Sequence, residues 1–145
     1  MRNLILSLFI SVVIAGCGQK KDASTAVVLD STGKTVSAVD APVIKFEKDI
    51  YDFGKITEGE SVKYDFKFKN VGKTPLIITD ATATCGCTVP EYPTKPVNPG
   101  DEGTIKVVFN SQGKVGIQDK VVSIISNANP YLATVHVVGE VKAKK

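Results

Sequence analysis

Hydrophobic and polar residues alternate with a period of two through much of the chain after Pro42. The clearest run covers residues 62–68, where hydrophobic residues alternate with Lys and Asp, which predicts a strand with one buried and one charged face. Similar runs occur at residues 76–78, 105–109, 121–125 and 135–141, and turn residues such as Asn98-Pro99-Gly100-Asp101 separate them. Short strands at about ten-residue spacing predict an all-β, antiparallel β-sandwich of about seven strands over residues 42–145.

The N-terminal residues have the pattern of an export signal. Arg2 precedes an apolar run over residues 4–14, which is shorter than the ~20 residues of a transmembrane helix. The run ends in Ile14-Ala15-Gly16-Cys17, which resembles the bacterial lipobox, whose cysteine is lipid-modified and becomes the mature N-terminus. We therefore predict a lipoprotein signal peptide over residues 1–16 and lipid attachment at Cys17. An ordinary secretory signal followed by an incidental cysteine is the alternative.

The segment after the signal predicts a location and a spacer. Gly18 directly follows Cys17, at the position where an aspartate retains many bacterial lipoproteins at the inner membrane. By this resemblance we expect the lipid anchor to lie in the outer membrane, with the domain facing the periplasm. Residues 17–41 lack aromatic residues and are interpreted as a flexible tether with a span of roughly 27 Å. A loose hairpin over residues 26–39, turning at Asp30-Ser31-Thr32-Gly33, is the alternative.

Composition narrows the classes of function. The chain has 145 residues, a length typical of one domain, with a net charge of +3. Its only arginine is Arg2, so the folded part lacks the planar guanidinium that reads phosphate and guanine, and no nucleic-acid partner is expected. A single histidine, His136, excludes histidine-rich metal cages. We expect a protein or cell-wall partner, besides contact with the membrane through the lipid.

Several motifs together resemble a known group of domains. They are Ile44-Lys45-Phe46, Tyr51–Ile56, Gly59-Glu60, Phe68–Gly72 and Pro75–Ile78, which look like the opening of hydin-type, immunoglobulin-like domains. The continuation through Thr84–Thr88, Pro96, Pro99-Gly100, Gly116 and Ser126–Ala128 is similar to a bacterial branch, family 1573 of the domains of unknown function, common in envelope lipoproteins. The resemblance covers about residues 43–141. It implies an immunoglobulin-like sandwich and says little about activity.

The Cys85-Gly86-Cys87 motif carries the most distinctive chemistry, and three interpretations stay open. In an extended strand both sulfurs would point to one face, and a disulfide there would be strained and stabilise the fold by only ~1.6 kcal/mol. Such a bond would be a labile redox pair. Two thiolates would instead suit a soft, low-coordinate ion such as Cu(I). Structural zinc is disfavoured, because the cysteine spacing is tighter than usual and His136 is the one further strong N/S ligand. The third interpretation is a purely structural pair.

The remaining candidates are weaker. Prolines recur every third residue from Pro90 to Pro99, as in polyproline II, so Tyr92, Pro93 and Pro96 are predicted to form a partner-facing loop, with a stiff connector as the alternative. The carboxylates Asp49, Asp52, Glu58 and Glu60 alternate with lysines and are interpreted as a solvated loop. No catalytic residue and no cofactor other than Cu(I) is predicted, so the chain is expected to be a non-enzymatic binding or structural module.

Overall fold

The computed structural model describes residues 27–29, 35–37 and 40–145, with side chains from residue 40 onward. These residues form ten strands. In chain order they are β1 (Val27–Leu29), β2 (Thr35–Ser37), β3 (Ile44–Phe46), β4 (Ile50–Thr57), β5 (Ser61–Asn70), β6 (Ile78–Ala83), β7 (Thr88–Glu91), β8 (Glu102–Asn110), β9 (Gly116–Ser126) and β10 (Leu132–Lys142). No helix in the described part has the length and apolar character needed to cross a membrane.

Strands β3 to β10 form two four-stranded sheets with the hydrophobic core between them. The first sheet has the order β4-β10-β9-β6, and the second sheet has the order β3-β5-β8-β7. The predicted all-β sandwich is confirmed, with eight strands where about seven were expected. The chain changes sheet between β6 and β7, so this connection lies at a corner of the sandwich.

The period-two pattern places one face of each strand in the core. In β5, Phe66 and Phe68 are fully buried, whereas the intervening Lys67 is exposed. Aromatic contacts then join the two sheets: Tyr51 of β4 stacks on Tyr64 of β5 with ring centroids 3.8 Å apart. The other core residues of the strands are mainly β-branched, as expected for packed sheets.

One strand pair departs from the predicted antiparallel order. β4 and β10 run parallel, and the chain forms β5 to β9 between them, so no hairpin turn relates the two strands. The register shifts between Val138 and Glu140, where Phe53 and Gly54 of β4 lie opposite Gly139. The ring of Phe53 occupies the space that a side chain at Gly139 would need. This bulge bends the edge strand.

The N-terminal segment is described only in part. Residues 27–29 and 35–37 pair as antiparallel strands, which corresponds to the hairpin alternative for residues 26–39. The predicted signal peptide and Cys17 lie outside the described residues. Their roles, and the tethering role of residues 17–41, stay predictions.

Candidate functional site at the Cys85–Cys87 corner

Cys85 and Cys87 lie in the turn that connects β6 of the first sheet to β7 of the second. Their sulfurs form a disulfide, and their Cα atoms are 5.3 Å apart. The predicted placement in an extended strand is wrong, because the chain turns here to change sheet. The N–H of Thr88 donates to the carbonyl of Cys85 at 3.2 Å, as in a β-turn. This turn brings the two Cα atoms well inside the range that a disulfide tolerates.

Backbone hydrogen bonds hold both ends of this turn independently of the disulfide. The N–H of Thr84 donates to the carbonyl of Val121 in β9 at 3.0 Å. At the other end, the N–H of Asn110 in β8 donates to the carbonyl of Cys87 at 2.8 Å. Each end is therefore tied to a different sheet. The disulfide joins residues whose backbone the strand pairing already positions.

The two cysteines are partly buried and lie next to a buried threonine and an exposed glycine. Both cysteines are half-buried, and Cys87 packs against the core. Thr88 is only 4% exposed, and its Oγ1 lies 3.8 Å from the Sγ of Cys85 and 4.0 Å from the Sγ of Cys87. On the other side, Gly86 is exposed, and a side chain at this position would meet no atom within 4 Å. The half-buried cysteine pair thus lies between a buried hydroxyl and an exposed glycine.

His136 does not extend this site into a metal centre. Its Nδ1 lies 2.9 Å from Oδ1 of Asp119, so β9 and β10 pair the imidazole with a carboxylate. Among the residues from 40 onward, no group of three or more His, Cys, Asp or Glu side chains is arranged to hold a metal ion. Cu(I) would need free thiolates, which Cys85 and Cys87 can supply only after reduction of the disulfide. Copper binding by the reduced pair stays a prediction.

The predicted partner-facing loop lies between β7 and β8. Tyr92 is half-buried against the core, and its hydroxyl donates to the carbonyl of Thr79 in β6 at 3.2 Å. This bond links the loop to the edge of the opposite sheet, a contact that supports the stiff-connector alternative. Pro93 is half-buried and Pro96 is exposed. A partner role for these residues stays a prediction.

The acidic residues before β5 mostly bind backbone N–H groups. Asp52 accepts a hydrogen bond from the N–H of Gly54 at 2.7 Å, and Glu60 accepts one from the N–H of Thr57 at 2.7 Å. Glu58 accepts one from Gly113 at 3.0 Å. These carboxylates thus stabilise the bulge in β4 and the turns around it.

The outer face of the first sheet carries hydrophobic side chains that sequence reasoning missed. His136 lies in its middle, opposite Ile50 of β4 and Val121 of β9. By strand alternation this surface, which we call the apolar face, comprises Ile50, Ile117, Val121, Ile125, Leu132 and Val138. The available signal was the adjacent pairs Val121-Val122 and Ile124-Ile125, which give β9 hydrophobic side chains on both faces.

The outer face of the second sheet is chemically different. Lysines are frequent at its outward positions, although the outward residues also include Val89 and Val108. By strand alternation this lysine face includes Lys45, Lys63, Lys67, Lys69 and Lys106. The two exposed faces of the sandwich therefore suit different partners.

A protein-family model matches most of the folded part of this chain. The model described as "Protein of unknown function (DUF1573)" matches residues 44–141. The chain belongs to this family. The family predicted from the sequence motifs is therefore confirmed, and the match covers all of β3 to β9 and most of β10. No curated protein matches the chain.

Solved structures resemble this DUF1573 domain in fold. A protein of unknown function from Porphyromonas gingivalis W83 superposes with a TM-score of 0.62 at 19% identity, covering 78% of this chain and 60% of that one. The ASH/PapD-like domain 7 of human CEP192 gives 0.58 at 9% identity, covering 84% and 98%. The VesB protease of Vibrio cholerae gives 0.56 at 12% identity, covering 77% of this chain and only 39% of that one. These likenesses confirm the predicted immunoglobulin-like fold class.

Proposed function

We propose that this DUF1573 domain is a non-enzymatic binding module that holds a protein partner in the cell envelope through its apolar face. The observation that carries the proposal is the exposure of large aliphatic side chains on one sheet face: Ile117 is 82% exposed and Ile50 is 55% exposed. Exposed hydrophobic patches rimmed by polar residues are typical of protein interaction surfaces.

The neighbours of these residues indicate the chemistry of the partner. Asp52 and Asp119 flank Val138 in register, one on each neighbouring strand. Glu140 also lies on this face, where Lys55 pairs with it at 3.3 Å. A partner that places basic groups among its apolar side chains would complement this arrangement.

At two of the four sheet edges of the sandwich, β7 and β4, the chain has features that oppose strand addition by a partner. At the β7 edge, Pro90 lacks an N–H group for a further strand. At the β4 edge, the bulge at Gly54 and the charged side chain of Asp52 interrupt a regular ladder. The apolar face needs no free edge, because its contacts come from side chains.

The proposal includes a lipid anchor that would hold the module at a membrane. Cys17 would carry the lipid, and the spacer up to residue 41 would let the domain reach partners in the periplasm. Gly18, in place of an aspartate, favours an outer-membrane location by resemblance to bacterial lipoproteins. The partner is therefore expected among envelope proteins.

Photo-crosslinking from the two faces tests the proposal. A benzophenone amino acid at Leu132 should crosslink a protein partner in intact cells, whereas the same residue at Val89 on the opposite sheet should not. Both positions hold exposed hydrophobic residues, at 41% and 57% exposure, so they form a matched pair. Equal crosslinking from both positions, or none from either, would contradict the proposal. A Leu132 product that disappears on muramidase digestion would instead indicate a cell-wall partner and overturn it.

A further inference from the structure

We propose that the Cys85–Cys87 disulfide is a reactive site that undergoes thiol–disulfide exchange with a dithiol. This activity is separate from partner binding by the apolar face and involves none of its residues. Its elements are the two sulfurs, the hydroxyl of Thr88 and the open space beside Gly86.

The first argument is that the bond adds little to the architecture. It closes a loop of only three residues, and loop-closure stabilisation falls as the loop shortens. The hydrogen bonds of Thr84 to Val121 and of Asn110 to Cys87 already hold the two ends of the turn. Opening the disulfide therefore leaves the sheets connected and the turn in place. A disulfide that contributes little to the stability of the fold and joins partly exposed residues is typical of exchangeable disulfides.

The second argument is the asymmetry of the two sulfurs. Cys87 packs against the core, whereas Cys85 is half-buried without being part of that packing. An incoming thiolate would therefore attack the Sγ of Cys85 and form a mixed disulfide with it. The Sγ of Cys87 leaves as a thiolate and takes the proton lost by the attacking thiol. Thr88 Oγ1 lies 4.0 Å from this sulfur and can donate a hydrogen bond to it.

The second half of the exchange completes the electron balance. The second thiol of the dithiol then loses its proton. The resulting thiolate attacks the first sulfur of the dithiol, which is bonded to the Sγ of Cys85 in the mixed disulfide. The dithiol leaves as a disulfide, and Cys85 is released as a thiolate that takes that proton. Two electrons and two protons pass from the dithiol to the cysteine pair, and no other oxidant or reductant is required.

The role assigned to Thr88 is that of a positioning residue. Its hydroxyl lies within hydrogen-bonding reach of both sulfurs, so it can stabilise whichever thiolate forms. Thr88 is also buried, which keeps water from replacing it on that side. The conservative variant Thr88→Ser keeps the hydroxyl, whereas Thr88→Val removes it with little change of shape.

A glutathione titration of the full-length chain tests the proposal. The substitution Cys17→Ser is introduced, so that Cys85 and Cys87 are the only cysteines of the chain. This variant is then equilibrated in detergent with mixtures of reduced and oxidised glutathione. Alkylation and intact mass then give the reduced fraction, while circular dichroism reports the fold. We expect a reversible two-electron transition within the accessible glutathione ratios and an unchanged fold. The proposal would be overturned if the Cys85–Cys87 disulfide stayed oxidised until the domain unfolds. It would also be overturned if oxidised glutathione could not re-form the disulfide from the two thiols.

The Thr88 variants test the mechanism on the same chain. Reduction by dithiothreitol should be about fivefold slower in Thr88→Val, and Thr88→Ser should restore the original rate. The pH dependence of alkylation of the reduced pair should shift to higher pH in Thr88→Val alone. Equal rates and equal pH profiles in all three proteins would contradict the role of Thr88. The glutathione titration of the chain with Thr88 intact stands independently of these variants.

Discussion

The side chain of Asn70 donates a hydrogen bond from Nδ2 to the backbone carbonyl of Val97 at 2.9 Å, and both residues are buried. The same nitrogen donates to the carbonyl of Thr74 at 2.9 Å. Its Oδ1 accepts from the N–H groups of Val43 and Gly72 at 3.3 and 3.0 Å. Asn70 is the last residue of β5, and its fully buried amide thus joins three backbone segments, at Val43, at Gly72–Thr74 and at Val97.

Replacement of this amide by a carboxylate should destabilise the domain strongly. Asn70→Asp would turn a donor into an acceptor that faces the carbonyls of Val97 and Thr74, so we expect the free energy of unfolding to fall by about 3 kcal/mol or more. Urea denaturation measures this loss. Asn110→Asp is the matched control: Asn110 is exposed and its Oδ1 only accepts a hydrogen bond, from Gln112. Equal effects of the two substitutions would contradict this account.

Removal of the disulfide should cost far less. Because the bond closes a loop of three residues, Cys85→Ser combined with Cys87→Ser should lower the free energy of unfolding by about 1.6 kcal/mol. The unmodified chain with its disulfide reduced should show the same stability as this double variant in urea denaturation. A loss above about 4 kcal/mol would mean that the disulfide, and not the backbone pairing of the turn, holds the corner together.

The sequence predicts the strands well where one face is buried and the other is charged. β5 follows this rule throughout, because lysines alternate with Phe66, Phe68 and their neighbours. The parallel pairing of β4 with β10 could not be predicted, since it depends on how the sheets close and no turn between the strands records it. The motif Asn70-Val71-Gly72 indicates a turn, but the burial of Asn70 follows only from the packing of Val97 against it.

The sequence predicted which cysteines belong to the candidate site, but it did not predict the geometry of the turn that holds them. Cys85-Gly86-Cys87 indicates a cysteine pair, but a sequence does not specify whether the pair lies in a strand or in a turn. The contribution of Thr88 was missed because threonine is common in strands, and only its burial beside both sulfurs distinguishes it. The hydrogen bond from the Tyr92 hydroxyl to Thr79 across the corner was also not foreseen, and the predicted partner role of Tyr92 stays a prediction.

The bulge between β4 and β10 predicts a coupling between Phe53 and Gly139. A methyl group at Gly139 would overlap the ring of Phe53, so Gly139→Ala should lower the free energy of unfolding by about 1–3 kcal/mol. Adding Phe53→Leu should recover part of this loss, because the smaller side chain leaves room for the methyl group. Gly86→Ala, which meets no atom within 4 Å, is the control and should have no measurable effect. Additive effects of the Gly139 and Phe53 substitutions would show that they do not share this contact.

The proposed lipid anchor predicts that Cys17 determines the cellular location of the protein. Cys17→Ser removes the proposed attachment site, and the chain should move from the membrane fraction to the soluble fraction of cells that express it. The reason is that the strands from residue 44 onward form a sandwich around a hydrophobic core, and this described part offers no apolar helix that could replace the lipid. Cell fractionation with immunodetection measures the distribution. Cys85→Ser is the matched control, since it changes a cysteine in the folded domain and should leave the protein in the membrane fraction. Retention of the Cys17→Ser chain in the membrane would mean that its apolar N-terminal run, and not a lipid, anchors it.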